Sequence, residues 1–191
     1  MKTDEVLAIF RQTEALLSGH FELRSGLHSD QYFQCAKVFC HPRIAEKLCA
    51  ALADKIKAVG ADRGVSCVIA PAMGGIVVGH EIARALNVLS IFAEKQDGAL
   101  VLRRNFTIDK GERYIVAEDV ITRGGRVQET IDIVEKAGGV VAAVAVLVDR
   151  SGGKAKLPYP TFSLLTMEPV TYEPAVCPLC KTGSKAVHPG S

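Results

Sequence analysis

The sequence predicts an α/β fold, a mainly parallel sheet flanked by helices. Three stretches predict it. Val65 to Leu86 and Tyr114 to Ala137 each read as an apolar strand, a glycine turn and a helix. Val140 to Val148 is a third apolar run with the composition of a buried strand. Successive βα units connect by right-handed crossovers, which lays the strands parallel and the helices on the sheet faces.

Taken in order, Thr3 is placed to cap a helix whose first turn holds Asp4 and Glu5. Val6, Ile9, Phe10, Leu16 and Leu17 extend its apolar stripe toward a stop near Ser18-Gly19. His20 to Val38 reads as short extended pieces around a Ser-Gly turn, with adjacent aromatics Tyr32 and Phe33. Pro42 opens a helix to Val59, with Ile44, Leu48, Leu52 and Ile56 on one side and Gly60 as its stop. Val65 to Ala70 is a strand, Pro71 to Gly75 a glycine turn, and Ile76 to Leu86 a helix. Val88 to Ala93 is a strand, and Asp97-Gly98 after it signals a hairpin. Phe162 to Thr166 reads as the last strand, and the Pro-, Gly- and Lys-rich tail follows.

A length of 191 residues fits one domain with at most a small appendage. A net charge of +2 provides no field for nucleic acid. No apolar run is long enough to span a bilayer. The opening MKTDEVLAIF places acids ahead of a short apolar stretch, unlike a secretory signal, so the six cysteines are expected to be reduced thiols in a cytoplasm. Cys177-Pro178-Leu179-Cys180 supplies two ligands where a structural zinc needs four. Two tails in a dimer would supply four; unpaired thiols are the simpler expectation, and no metal ligand is assigned.

The most informative stretch is Tyr114 to Thr130, YIVAEDVITRGGRVQET. Its glycines, Gly124 and Gly125, let the backbone approach a ligand closely, and the free N–H groups of the helix that follows favour an anion. Glu118 and Asp119 would repel a phosphate they touched, but they suit hydroxyls a few ångströms away. A ribose 5-phosphate satisfies both demands. A Walker loop is excluded because no Gly-Lys-Ser/Thr follows, and the dinucleotide fingerprint because G-x-G-x-x-G is absent.

This block resembles the signature of type I phosphoribosyltransferases, which bind phosphoribosyl pyrophosphate (PRPP). The segment Phe21, Leu23, Arg24, Ser25, Gly26, Ser29, Tyr32 and Phe33 is similar to the base-covering segment of orotate phosphoribosyltransferases. The resemblance spans nearly the whole chain. It implies a single phosphoribosyltransferase domain over 1–191, with an N-terminal hood from about residue 1 to 40 and a cysteine-containing tail from about 168 to 191. It implies Mg²⁺-dependent transfer of the phosphoribosyl group from PRPP to orotate. Glu118, Asp119, Val120, Ile121, Thr122, Arg123, Gly124, Gly125 and Arg126 are then the PRPP site. Ala72, Met73, Gly74 and Gly75 are the pyrophosphate loop, and Thr122, Arg150, Arg24 and Phe33 the orotate contacts. Catalytic roles fall to Asp119 and Glu118, and to Lys95 and Arg103 on a basic arm that also carries Arg104. The implied assembly is a homodimer with arms crossing between subunits. The sequence departs from the family in three places. Gly74 occupies the position of a loop lysine common in bacterial members, the arm lacks a K-x-x-x-K-x-H-G run, and Arg126 replaces a small hydroxyl residue, either to pair with the 5-phosphate or to point away. Transfer to another base and a PRPP-sensing regulator are the alternatives. Arg150 argues against the first, and the lack of a nucleic-acid-binding extension against the second.

Overall fold

Two sheets organise the chain, seen in a computed structural model that describes residues 1–23 and 25–189. The larger has six strands. They are β3 (Val65–Pro71), β4 (Leu89–Gln96), β5 (Ala99–Leu102), β6 (Arg113–Ile121), β7 (Val140–Asp149) and β8 (Thr161–Thr166), in the order β5-β4-β3-β6-β7-β8. All neighbours pair parallel except β5, which returns antiparallel along β4. The smaller sheet is β1 (Leu16–Glu22), β2 (His28–Phe33) and β9 (Thr171–Tyr172), all antiparallel.

Both faces of the large sheet are buried, so its central strands read as unbroken apolar runs. Val68, Ala70, Ile115 and Ala117 face one layer. It is built from α1 (Thr3–Gln12), α3 (Pro42–Ala58) and α4 (Gly74–Leu86), with the short α2 (Ala36–Phe39) beside them. Cys67, Ile69, Tyr114 and Val116 face α5 (Gly125–Lys136), which buries Val127, Ile131 and Val134 against them. Gly79 lets α4 lie close to β3, since a Cβ there would sit 2.8 Å from the Cβ of Ala70.

The predicted βα units, the Pro42 helix and the hairpin are all present. The hairpin turns at Asp97 (φ 50°) and Gly98 (φ 90°), the left-handed pair that matches the twist of the strands. Four expectations are corrected. Helix α1 ends at Gln12, and Leu16 and Leu17 begin β1. The stop is a Schellman turn in which Ala15 N–H donates to Phe10 C=O (2.8 Å) and Glu14 N–H to Arg11 C=O (3.1 Å). Glu14 takes the left-handed position (φ 55°) usually given to glycine, so the sequence carries no visible signal. Thr3 is the first helical residue rather than the cap, and the Glu5 carboxylate accepts from the Lys2 backbone N–H at 2.9 Å. The extended reading to Val38 stops at Phe33, and α2 follows. Finally, β8 is not the last strand: the tail returns as β9, pairing Thr171 with Ser29 and Tyr172 with His28, and then forms α6 (Pro178–Lys181). Among the described residues, no helix is long and apolar enough to cross a membrane.

Candidate active site

The connections place a crevice at the carboxyl ends of the central strands. From β3 the chain runs through α4 to β4 on one side; from β6 it runs through α5 to β7 on the other. The strand order therefore reverses between β3 and β6, and open α/β sheets bind ligands outside the carboxyl ends of the strands at such a reversal. Both glycine turns sit there: Ala72 to Gly75 after β3, and Thr122 to Gly125 after β6. A cavity of about 340 Å³ is lined by Glu118, Asp119, Val120, Ile121, Thr122, Gly124, Gly125, Arg126 and Val127.

The apolar run from Tyr114 to Ala117 is not the whole of the strand that carries Glu118 and Asp119. Both acids lie inside that strand, because β6 pairs with β7 as far as Ile121 opposite Asp149. Glu118 is 4% exposed. Its Oε1 accepts the backbone N–H of Asp119 at 3.1 Å, and Asp119 Oδ1 accepts that of Val120 at 2.8 Å. Burial, and then the neighbouring Asp119 charge, push the Glu118 carboxyl well above the usual carboxylate range. A cation nearby, Arg126, works the other way.

The two glycine turns are fitted to each other through these acids. A Cβ on Gly74 would lie 2.6 Å from Asp119 Oδ2, and one on Gly75 would lie 3.0 Å from Glu118 Oε1. Glycine at 74 is what lets the loop approach Asp119, so the absence of a lysine there has a steric reason. The Ala72–Met73 peptide is cis. Arg126 is exposed and reaches across the crevice, its guanidinium donating to Ala72 C=O at 3.4 Å. Gly124 begins α5 with φ 79°, and Thr122 and Arg123 are exposed on the turn before it.

Arg150 follows β7, held by its backbone N–H donating to Ile121 C=O at 2.9 Å. Asp149 shapes the turn beyond it by accepting from the Ser151 N–H (2.8 Å) and hydroxyl (2.6 Å). The Arg150 guanidinium lies 5.5 Å from the centre of the Phe33 ring, and its Nε is buried with no hydrogen-bond partner among the described residues. Phe33 is 5% exposed and packs edge-on against Phe10, so it supports the guanidinium from beneath. Cys35, which sequence reasoning missed, is buried beside these groups. Burial first and Asp119 second push its thiol well up, while Arg150 opposes them. Arg24 lies outside the described residues.

On the arm, Arg104 is already engaged. It donates to Glu94 at 2.8 and 3.1 Å and lies 5.7 Å over the Phe92 ring. Lys95 and Arg103 are exposed and form no ion pair among the described residues.

A family described as Phosphoribosyl transferase domain matches residues 38–179. The orotate phosphoribosyltransferase of Pelotomaculum thermopropionicum is 54% identical over 191 residues, covering 100% of this chain and 98% of the relative. That of Desulforamulus reducens is 51% identical with the same coverage. Among solved structures, the orotate phosphoribosyltransferase of Aeropyrum pernix superposes with a TM-score of 0.71 at 23% identity, over 84% of this chain and 93% of that one. An adenine phosphoribosyltransferase from Thermoanaerobacter pseudethanolicus shares the fold at a TM-score of 0.61 and 20% identity, over 72% of this chain and 88% of that one. The fold is therefore common to enzymes for different bases, and it is the half-identical, full-length relatives that decide between them: the chain belongs to the type I phosphoribosyltransferase family, among the orotate phosphoribosyltransferases.

Proposed function

We propose that this chain transfers the 5-phosphoribosyl group of PRPP to orotate, giving orotidine 5′-phosphate and pyrophosphate, a step of pyrimidine synthesis. Full-length identity of about half to curated orotate enzymes carries the reading. The buried, unpartnered Arg150 Nε beside the acidic crevice supports it, because a planar anionic base offers the acceptor that this donor lacks.

The bond from ribose C1 to pyrophosphate oxygen breaks, and the pyrophosphate leaves with the electron pair. Orotate N1, its proton lost to solvent, forms the new bond, so no covalent enzyme intermediate is needed. Positive charge builds on the ribose ring and negative charge on the leaving group. Catalysis is then electrostatic, by groups already aimed at those positions. Glu118 and Asp119 hold the ribose hydroxyls and face the ring. The turn from Val120 to Arg126 takes the 5-phosphate on its backbone N–H groups. Ala72 to Gly75 hold the pyrophosphate by backbone amides. Arg126, tied to Ala72, lies between the two anions. Thr122, Arg150 and Phe33 form the orotate side.

The all-oxygen acidic donors of the crevice fit Mg²⁺. Glu118 and Asp119 would hold it, and it would neutralise charge on the leaving group.

The arm completes the site. With Arg104 held by Glu94, Lys95 and Arg103 are the cations left to close on pyrophosphate. The exposed β5 edge and the exposed Leu89 (71%) suit a homodimer in which each arm serves the neighbouring subunit. Closure excludes water from a cation that water would trap.

The test is loss of orotate absorbance with PRPP and Mg²⁺, run beside adenine, hypoxanthine and uracil. Orotate alone should be consumed. Consumption of a purine or of uracil with orotate inert would overturn the assignment.

A further inference from the structure

A second cluster of chemistry-bearing side chains lies outside the crevice, where the tail crosses the hood. His20 on β1, His28 on β2, and Cys177 and Cys180 at α6 bring their ligand atoms within 4.8 Å of one another. His20 and His28 are 6% and 8% exposed and Cys177 is 1% exposed, whereas Cys180 is open to solvent and provides the way in. Two hood strands and a helical turn more than a hundred residues away thus converge on one point.

The spacing is that of a tetrahedral site. Zinc bonds of about 2.0–2.1 Å to nitrogen and about 2.3 Å to sulfur place neighbouring N and S ligands roughly 3.5 Å apart. Here Cys177 Sγ lies 3.6 Å from His20 Nε2, and Cys180 Sγ lies 3.7 Å from His20 Nε2 and 3.3 Å from His28 Nδ1. The two imidazole nitrogens are 2.8 Å apart, a hydrogen-bond distance, and open by roughly half an ångström around a metal. The orienting contact is also present. His20 Nδ1–H donates to Ser184 C=O at 3.0 Å, which leaves the Nε2 lone pair turned into the cluster. Cys177 caps α6 and Cys180 follows three positions on, so the first helical turn brings both sulfurs to one side.

We propose that His20, His28, Cys177 and Cys180 form a structural zinc site that staples the tail to the hood. Two imidazoles and two thiolates without a carboxylate select zinc over magnesium or calcium, and four protein ligands leave no open position for catalysis. Zn²⁺ enters as the aqua ion and the thiols bind as thiolates, so loading releases up to two protons to solvent and moves no electron. The site closes an existing seam. Ser29 Oγ donates to Val170 C=O at 2.8 Å, Val187 pairs with Phe21, and His188 Nδ1 meets Glu22 C=O at 3.0 Å. Because β2 also carries Phe33 beneath Arg150, the staple steadies the roof of the orotate side.

The full chain, expressed with zinc in the medium and purified reduced and without chelator, should carry about one zinc per chain by elemental analysis. After stripping with chelator, titration with Co²⁺ should produce thiolate-to-cobalt charge-transfer bands in the near ultraviolet and the intense visible absorption of a tetrahedral site, both removed by Zn²⁺. Cys180→Ser and the double variant Cys177→Ser/Cys180→Ser should lose these bands and the zinc. The stripped wild-type chain should melt at a lower temperature than the loaded one and recover when zinc is returned. Absence of both stoichiometric zinc and cobalt charge transfer in the reduced wild-type chain would overturn the proposal, and so would zinc retained by the double variant. The metal readouts do not depend on the transferase reaction.

Discussion

Glu118 is buried and accepts the Asp119 backbone N–H, and burial beside the Asp119 carboxylate pushes its own carboxyl up to about 9. An unfolded glutamate ionises near about 4.3. Between those limits the native state binds the extra proton, so stability is fully present below the unfolded value and falls as pH rises toward the folded one, by at most about 1.4 kcal/mol per pH unit. Glu118→Gln keeps the shape and removes the proton dependence. It should gain stability over the wild type from about pH 5 upward, with a margin in urea midpoint that widens toward about pH 9. A margin constant with pH would mean that Glu118 is ionised in the fold. Gly74 makes a different demand. An alanine there starts a helix well but puts its Cβ 2.6 Å from Asp119 Oδ2. Gly74→Ala should therefore cost roughly tenfold or more in kcat/KM while the urea midpoint changes little. Unchanged kinetics would show that the loop and Asp119 need not meet. Arg150→Ala, at the buried guanidinium, should raise the KM for orotate far more than that for PRPP. An unchanged orotate KM in a folded variant would remove Arg150 from the site.

The β4–β5 hairpin carries the proposed arm. Asp97 and Gly98 close it locally, which is why the dipeptide alone announced it. Arg104 lies just past β5, and its pairing with Glu94 on β4 depends on the strands having met. That pair leaves Lys95 and Arg103 for the proposed role in trans, and subunit mixing tests it. Asp119→Asn chains are combined with Lys95→Ala/Arg103→Ala chains. In a mixed dimer one site regains an intact acid pair and an intact arm, so activity should exceed that of either parent. No recovery in dimers shown to have exchanged would defeat the crossed arm. Helix α1 shows the opposite case. Its end rests on the left-handed Glu14, and because that residue type carries no turn signal, the apolar stripe seemed to run on into what is β1.

At the scale of the molecule, the proposed dimer is checked by sedimentation at working concentration, where a monomer would defeat it. The βα units, their glycine turns and the acid pair were legible in the residues because each is local. An apolar run, a backbone that must bend and a helix start lie within a dozen positions of one another. The block from Glu118 to Arg126 was legible as a unit, since one strand end and one turn carry nearly all of it. The topology added what no local pattern holds. It set the reversal between β3 and β6 that brings Gly74 against Asp119, and it buried Glu118 beside Asp119, which pushes the Glu118 carboxyl up. It also sent the tail back over the hood. Read along the chain, Cys177 and Cys180 are half of a metal site and His20 and His28 are unremarkable hood residues. Cys177 and His20 are 157 positions apart, and only the folding of the tail onto β1 and β2 makes them neighbours. The sequence by itself determined the acid pair and the glycine turns to which the proposed reading gives ribose and phosphate, because each is a contiguous stretch of backbone. Tertiary structure decided proton occupancy and the meeting of distant ligands, because both depend on what is packed around a side chain.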